Sequence, residues 1–244
     1  VNAQGLVENV QILSSELVQN GNFSEIGSEE VSNGDFSQEG SESLLNANFE
    51  SSSGWNLNND SYIQGAELYA NTGGLIYQAG RLTNGKWYKV EINVTSVQQD
   101  GFNVYANGTQ SSLIDTAGVH TLYIQAGTSN SLAGFNPQSH FIGVIRSFSF
   151  KEVGQNWTIG SGWSIGDDKL VSVNGANYVT SPNATIVAGK TYKISYEVKD
   201  YISGAFGIRG YTVAGITATA NGTYTDYITS NGPTITLLGF GTFN

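Results

Sequence analysis

Apolar and polar positions alternate most regularly over Gly85-Lys-Trp-Tyr-Lys-Val-Glu-Ile-Asn-Val94, where Tyr88, Val90, Ile92 and Val94 fall on one side and mostly polar residues on the other. The pattern returns 104 positions later as Gly189-Lys-Thr-Tyr-Lys-Ile-Ser-Tyr-Glu-Val198, with Tyr192, Ile194, Tyr196 and Val198 on the apolar side. Each stretch, opened by a Gly-Lys turn, predicts a half-buried β-strand. The run Phe141-Ile-Gly-Val-Ile-Arg-Ser-Phe-Ser-Phe150 predicts another.

The surrounding sequence repeats in the same order. Gly54-Trp55-Asn56-Leu57 answers to Gly162-Trp163-Ser164-Ile165, and Leu75-Ile76-Tyr77-Gln78 to Asn177-Tyr178-Val179-Thr180. Ala117-Gly118-Val119-His120-Thr121-Leu122-Tyr123 matches Ala220-Asn221-Gly222-Thr223-Tyr224-Thr225-Asp226-Tyr227. A period near 100 residues is too long for a solenoid and suits two successive domains. The expected organisation is an extended segment over 1–42, a first β-sandwich module over 43–153 and a second over 154–244. Trp55/Trp163, Tyr88/Tyr192 and Tyr123/Tyr227, recurring at matched positions, are expected in the cores.

A shorter repeat precedes them: Glu16-Leu-Val-Gln-Asn-Gly-Asn-Phe-Ser24, Glu29-Glu-Val-Ser-Asn-Gly-Asp-Phe-Ser37 and Glu42-Ser-Leu-Leu-Asn-Ala-Asn-Phe-Glu50, with Phe23, Phe36 and Phe49 spaced 13 apart. Each unit reads as a short strand closed by an Asn-Gly type turn. The third, followed by Trp55, is expected to supply the first strand of the first module. The other two are expected to be surplus, forming a stalk or arms that pair with neighbouring subunits; regular apolar anchors argue against a flexible acidic linker. Residues 1–14 alternate weakly and read as one strand or a lead-in. The second module lacks both an Asn-Gly-Asp-Phe segment ahead of Trp163 and a closing strand. The expectation is therefore that chain beyond Asn244, or another chain, completes its sheet.

Composition agrees with an all-β chain: of 244 residues 31 are Gly and 3 Pro, and Val, Ile, Tyr, Phe and Thr fill the apolar runs. Only 12% of residues are charged, so Ser, Thr, Asn and Gln carry the surface, which suits neutral polyhydroxylated partners. A net charge of −10 with only ten Lys and Arg argues against nucleic acid and against anionic membrane. No apolar run approaches the roughly 20 residues of a membrane-spanning helix, no signal peptide is visible, and the absence of cysteine removes thiol chemistry and disulfides. Starting at Val1 with no Met, the sequence reads as a fragment or a processed product.

The order of these motifs is an Asn-Gly-Asp-Phe opening, a Gly-Trp pair, a Gly-Lys-x-Tyr strand, a Gly-x-Tyr/His-Thr strand, then a closing strand near Ser-Phe-Lys-Glu-Val. It resembles the carbohydrate-binding-module-like, galactose-binding-like jelly rolls found in tandem in bacteriophage fibre and virion proteins. Val1-Asn-Ala-Gln-Gly-Leu-Val-Glu8 and the short repeats are similar to segments of phage structural proteins. The resemblance implies an antiparallel sandwich of eight to ten strands, often with a structural calcium, carried on a virion outside the cell and frequently as a homotrimer with other virion subunits.

Catalytic signatures are missing: His120 and His140 lie in separate stretches, no Gly-x-Ser-x-Gly elbow occurs, and most acids sit in the N-terminal repeats or in turns. No enzyme is expected. Sugar binding has better candidates, because aromatic faces stack on pyranose rings while amides and carboxylates reach hydroxyls. Trp87, replaced by Thr191 in the other copy and on the polar side of its strand, leads them. Tyr62, Tyr69, Tyr77, Phe102 and Tyr105 follow, with Tyr201, Phe206 and Tyr211 in the second copy; packing between strands, modules or subunits is the competing role for each. Weak sites on two modules could act together through avidity. Calcium would find hard oxygen ligands at Asp60, Asp167, Asp168 or Glu50, without any spaced carboxylate motif, and Asp167-Asp168 also reads as an ordinary turn. Sequons at Asn93, Asn107 and Asn183 follow from the Asn/Thr-rich composition. The expected function is a virion-appendage spacer and host-glycan adhesin. The alternatives are a purely structural head-fibre or tail-collar component and a secreted bacterial carbohydrate-binding module.

Overall fold

A computed structural model describes residues 24–58, 60–71, 73–172, 177–181, 186–210 and 216–240. The lead-in over 1–14, the first 13-residue unit through Phe23, Asn183 and Tyr211 lie outside the described residues. No helix occurs among the described residues; every strand pair is antiparallel.

Two sheets enclose the first core. One runs β2 (Tyr62–Gln64), β3 (Glu67–Asn71), β10 (Ile142–Val153), β5 (Trp87–Gln99), β8 (Gly118–Gln125), with β1 (Glu39–Glu42) also pairing to β10. The other runs β4 (Ile76–Ala79), β9 (Leu132–Pro137), β6 (Phe102–Ala106), β7 (Thr109–Ile114). Alternation places Tyr88, Val90, Ile92 and Val94 inward, all at most 2% exposed. They meet Phe148 and Phe150 of β10, and Phe148 packs edge-on, 5.3 Å between centroids, against Phe135 of the opposite sheet. Edge-to-face geometry of this kind is the favoured aromatic arrangement.

The second core is built from three sets of strands. A five-stranded sheet runs β11 (Thr158–Ile159), β14 (Tyr178–Ser181), β19 (Ile235–Phe240), β16 (Ala205–Arg209), β17 (Ile216–Ala218). Facing it are two separate pairs, β12 (Trp163–Gly166) with β13 (Lys169–Ser172) and β15 (Thr191–Val198) with β18 (Gly222–Thr229).

The strand repeat carries through to individual hydrogen bonds. The Tyr88 hydroxyl accepts from Thr83 N at 2.8 Å, and the Tyr192 hydroxyl accepts from Val187 N at 2.8 Å. Gly85 N donates to Ala126 O and Gly189 N to Ser230 O, at 2.7 and 2.8 Å. Both glycines have φ near +80° (77° and 83°), the left-handed region that a side chain would strain.

The tryptophan pairing differs from the sequence expectation. Asn56, after Trp55, bridges to Tyr77 of β4; Thr158, after Trp157, pairs with Thr180 of β14. Trp157 therefore stands where Trp55 does. The hairpin that follows places Ile165 at the position of Ile63, so Trp163 matches Ser61. Trp163 is nonetheless buried, its indole donating to Asn177 O at 2.7 Å. Tyr227 also departs from expectation: it is 71% exposed, while Tyr123 packs against the second core.

Candidate functional site

The second and third 13-residue units form turns rather than strands. In the third, Asn46 and Phe49 both take positive φ (49° and 55°), and Phe49 N donates to Asn46 O at 3.1 Å. In the second, Asn33 and Phe36 do the same (52° and 59°; 3.2 Å). Asn is among the few residues that accept this left-handed backbone readily, and its side chain secures the turn. Asn46 Oδ1 accepts from Ser51 N at 3.3 Å, and Asn33 Oδ1 from Gln38 N at 3.0 Å.

Each turn then plugs a tryptophan. Phe49 sits 5.1 Å from Trp55, whose indole donates to Asn46 O at 3.2 Å. Phe36 sits 5.0 Å from Trp157, whose indole donates to Asn33 O at 2.9 Å. The second unit, expected to be surplus, is thus the plug of the second core, reached across the whole of the first. The signal was available in sequence: two of the three phenylalanines match Trp55 and Trp157, which are 102 apart.

Between the plugs, Glu39 of β1 bridges Lys89 of β5 and Lys151 of β10, at 2.6 and 2.8 Å. The Lys151 and Lys89 ammonium groups hold the Glu39 carboxyl below its ordinary range, and Glu39 raises both lysines. Val153, the last residue of β10, is buried in the second core although Ile145, Phe148 and Phe150 of the same strand belong to the first. One strand is thereby shared by both cores.

Trp87, the leading sugar candidate, opens β5 opposite Val153 and packs half-buried against the second core. With Lys86, Val153, Trp157 and Ile159 it lines a small crevice where the two cores meet, and its buried indole nitrogen has no hydrogen-bond partner. Its aromatic face is used for packing between the halves. Phe102 is fully buried between Phe135 and Phe141, and Phe206 is 8% exposed beside Tyr196; both are core residues, unavailable to a ligand.

The remaining tyrosines are scattered. Tyr105 accepts from Asn130 Nδ2 at 2.5 Å, Tyr201 donates to Gly204 O at 2.8 Å, and Tyr77 is half-buried on β4. Among the described candidates, only Tyr62 and Tyr69 are brought together. They stack at 4.9 Å and 4° between planes, with Tyr62 47% exposed. The Tyr69 hydroxyl donates to Glu67 Oε2 at 3.3 Å; partial burial and that carboxylate raise its pKa.

The metal candidates are not gathered. Asp167 and Asp168 are the central residues of the β12–β13 hairpin, with φ of 48° and 54°, a two-residue turn in which both central residues are left-handed. Gly65 and Ala66 (61° and 59°) occupy the matching turn of β2–β3. The Asp60 carbonyl accepts from Asn71, and Glu50 from Asn48. Among the described residues no group of three His, Cys, Asp or Glu side chains could hold a metal ion. No protein-family model matches this chain, and no curated protein matches it.

Proposed function

We propose that this chain is a non-enzymatic structural segment of an extended appendage, two tandem jelly-roll sandwiches locked in series, with a bacteriophage fibre as the setting that its repeat units favour. One observation carries the reading. The plug of the second core lies ahead of the first, so the chain crosses the junction twice, once through residues 37–42 and once through β10. A device that fixes two sandwiches against each other serves a spacer that must transmit position or load; independent binding domains have no need of it. The placement of Trp87, Phe102 and Phe206 in packing roles supports the structural alternative over the adhesin.

Immunogold electron microscopy of the particles or cells that carry the chain tests this. Label along an appendage is expected. Label confined to the cell interior refutes it. A second reading, host-glycan binding, rests on the stacked and exposed Tyr62–Tyr69 pair beside Glu67 and Thr95, whose hydroxyl donates to Glu67 at 3.1 Å. A glycan screen in which Tyr62→Ala removes binding without changing thermal stability would establish it.

A further inference from the structure

The chain on either side of the first sandwich meets in an antiparallel ladder. Phe36 stands 5.0 Å from Trp157, Asn33 Nδ2 donates to Gln155 O at 3.3 Å, Glu39 lies opposite Val153 and Glu42 opposite Lys151, and Ser43 N donates to Phe150 O at 2.9 Å. Each step forward from Phe36 is matched by a step back from Trp157. The mouth of the ladder is therefore the plug, and the buried residues of the first core, Leu44 to Phe150, all lie in the loop that it closes. We propose that this ladder is a mechanical shunt: tension along the chain passes from Phe36 to Trp157 across the plug and goes around the first sandwich. The proposal is a property of the fold and does not depend on the appendage reading.

Three observations support a shunt. The first is the geometry at the mouth. Tension reaching Phe36 has two routes to Trp157, one through all the intervening chain and one through direct contact: the ring pair, the indole bond to Asn33 O at 2.9 Å and the Asn33–Gln155 bond. While those contacts hold, the ends of the loop are fixed beside each other, and no extension reaches the strands inside it.

The second is the direction of pull. Bonds between antiparallel strands lie across the strands, so a ladder drawn apart at one end loads them one after another. The plug yields first, then the Glu39 bridges to Lys89 and Lys151, then the bonds of β1. Beyond them the path meets β10, which is bonded on one side to β3 and on the other to β5 and would have to be drawn out lengthwise against many bonds at once. The shunt thus opens at a lower force than the sandwich it shields. The third is the fit of the strap. A Cβ at Gly40 would fall 2.9 Å from Gln155 Nε2 and 3.3 Å from Glu152 O, so β1 lies close against the end of β10 and a side chain there would press on both.

The test is extension of the full chain in optical tweezers, with handles on cysteines introduced at Ser28 and Thr158, both exposed, in a chain that has no cysteine of its own. Opening the shunt frees residues 36–42 and 154–157, a short step of about 35 Å. It should precede release of the 108 residues from Ser43 to Phe150, a long step of roughly 360–390 Å at full extension. Moving the first handle to exposed Ser41, inside the ladder, should remove the short step and keep the long one. Phe36→Ala and Gly40→Val should each lower the force of the short step and leave that of the long step unchanged; the long step in the same trace shows that the first sandwich is folded. A long step that comes first with the outer handles would overturn the proposal. So would a short step that persists with the handle at Ser41, or one whose force neither substitution moves.

Discussion

Replacing Phe36 by Ala tests the plug on which the two-core arrangement rests. The ring is 8% exposed and stands 5.0 Å from Trp157. Removing a buried Phe side chain costs about 3–5 kcal/mol, the transfer free energy plus the cavity left behind. The partial exposure of the ring favours the lower end, about 3 kcal/mol. For a domain of this size each kcal/mol moves the midpoint by roughly 4–8 °C, so the second half should melt roughly 12–24 °C lower. Calorimetry with hydrogen exchange resolved by peptide separates the halves: exchange should quicken in β14, β16 and β19 and stay slow in β5, β9 and β10. Phe49→Ala, fully buried at 0%, should do the reverse. A Phe36–Trp157 double-mutant cycle should return about 0.5–1.5 kcal/mol of coupling. A loss below about 0.5 kcal/mol for Phe36→Ala, the range of an ordinary surface site, would refute the plug.

Glu39→Gln should cost about 1 kcal/mol at neutral pH, measured by denaturant titration, because two partly exposed ion pairs share one carboxylate. Its folded pKa is depressed, so that stability is complete above the ordinary 4.5 and is lost as pH falls through the lowered value. The raised lysines contribute below 10.5 and lose their share as pH rises through their folded values; the variant should flatten both limbs. Trp87→Phe should be neutral or slightly stabilising, since it removes a buried unpartnered N–H. Trp87→Ala should cost about 2 kcal/mol by leaving a partly filled junction, and a thermal scan distinguishes the two. Substituting Asn-Gly for Asp167-Asp168 should stabilise the hairpin by about 0.5–1 kcal/mol, because that pair favours two successive left-handed residues, and millimolar calcium should leave both melting temperatures unchanged.

The strands were legible where a period of two met a glycine turn, as at Trp87–Gln99 and Thr191–Val198. The partner of Trp55 was not. Gly54 takes φ of 85° before Trp55, and the same left-handed position before Trp157 is held by Asn156 at 70°. Matching Gly-Trp to Gly-Trp therefore selected Trp163 in place of Trp157. The role of Phe36 was legible only as a count, two of the three phenylalanines for Trp55 and Trp157, because local pattern does not say which downstream aromatic a plug will meet. Of the sugar candidates, sequence could not separate Phe102 and Phe206 from the surface, because an inward aromatic and an outward one differ only by the phase of their strand. Trp87 was placed on the polar side of its strand, and what it packs against there is the other half of the chain.

Pairing β1 with β10 also sets an order of folding. Phe36 and Trp157 are 121 residues apart, Phe49 and Trp55 only six. Closing the longer loop from an unfolded chain would cost about 2.7 kcal/mol more in entropy than closing the shorter. Once the first half has folded, however, Glu39 stands opposite Val153, three residues from Phe36 and four from Trp157. Most of that search has then already been made. The first sandwich acts as a clamp that delivers the plug to its socket, so the second core nucleates on a finished neighbour, and the chain assembles from its middle outward.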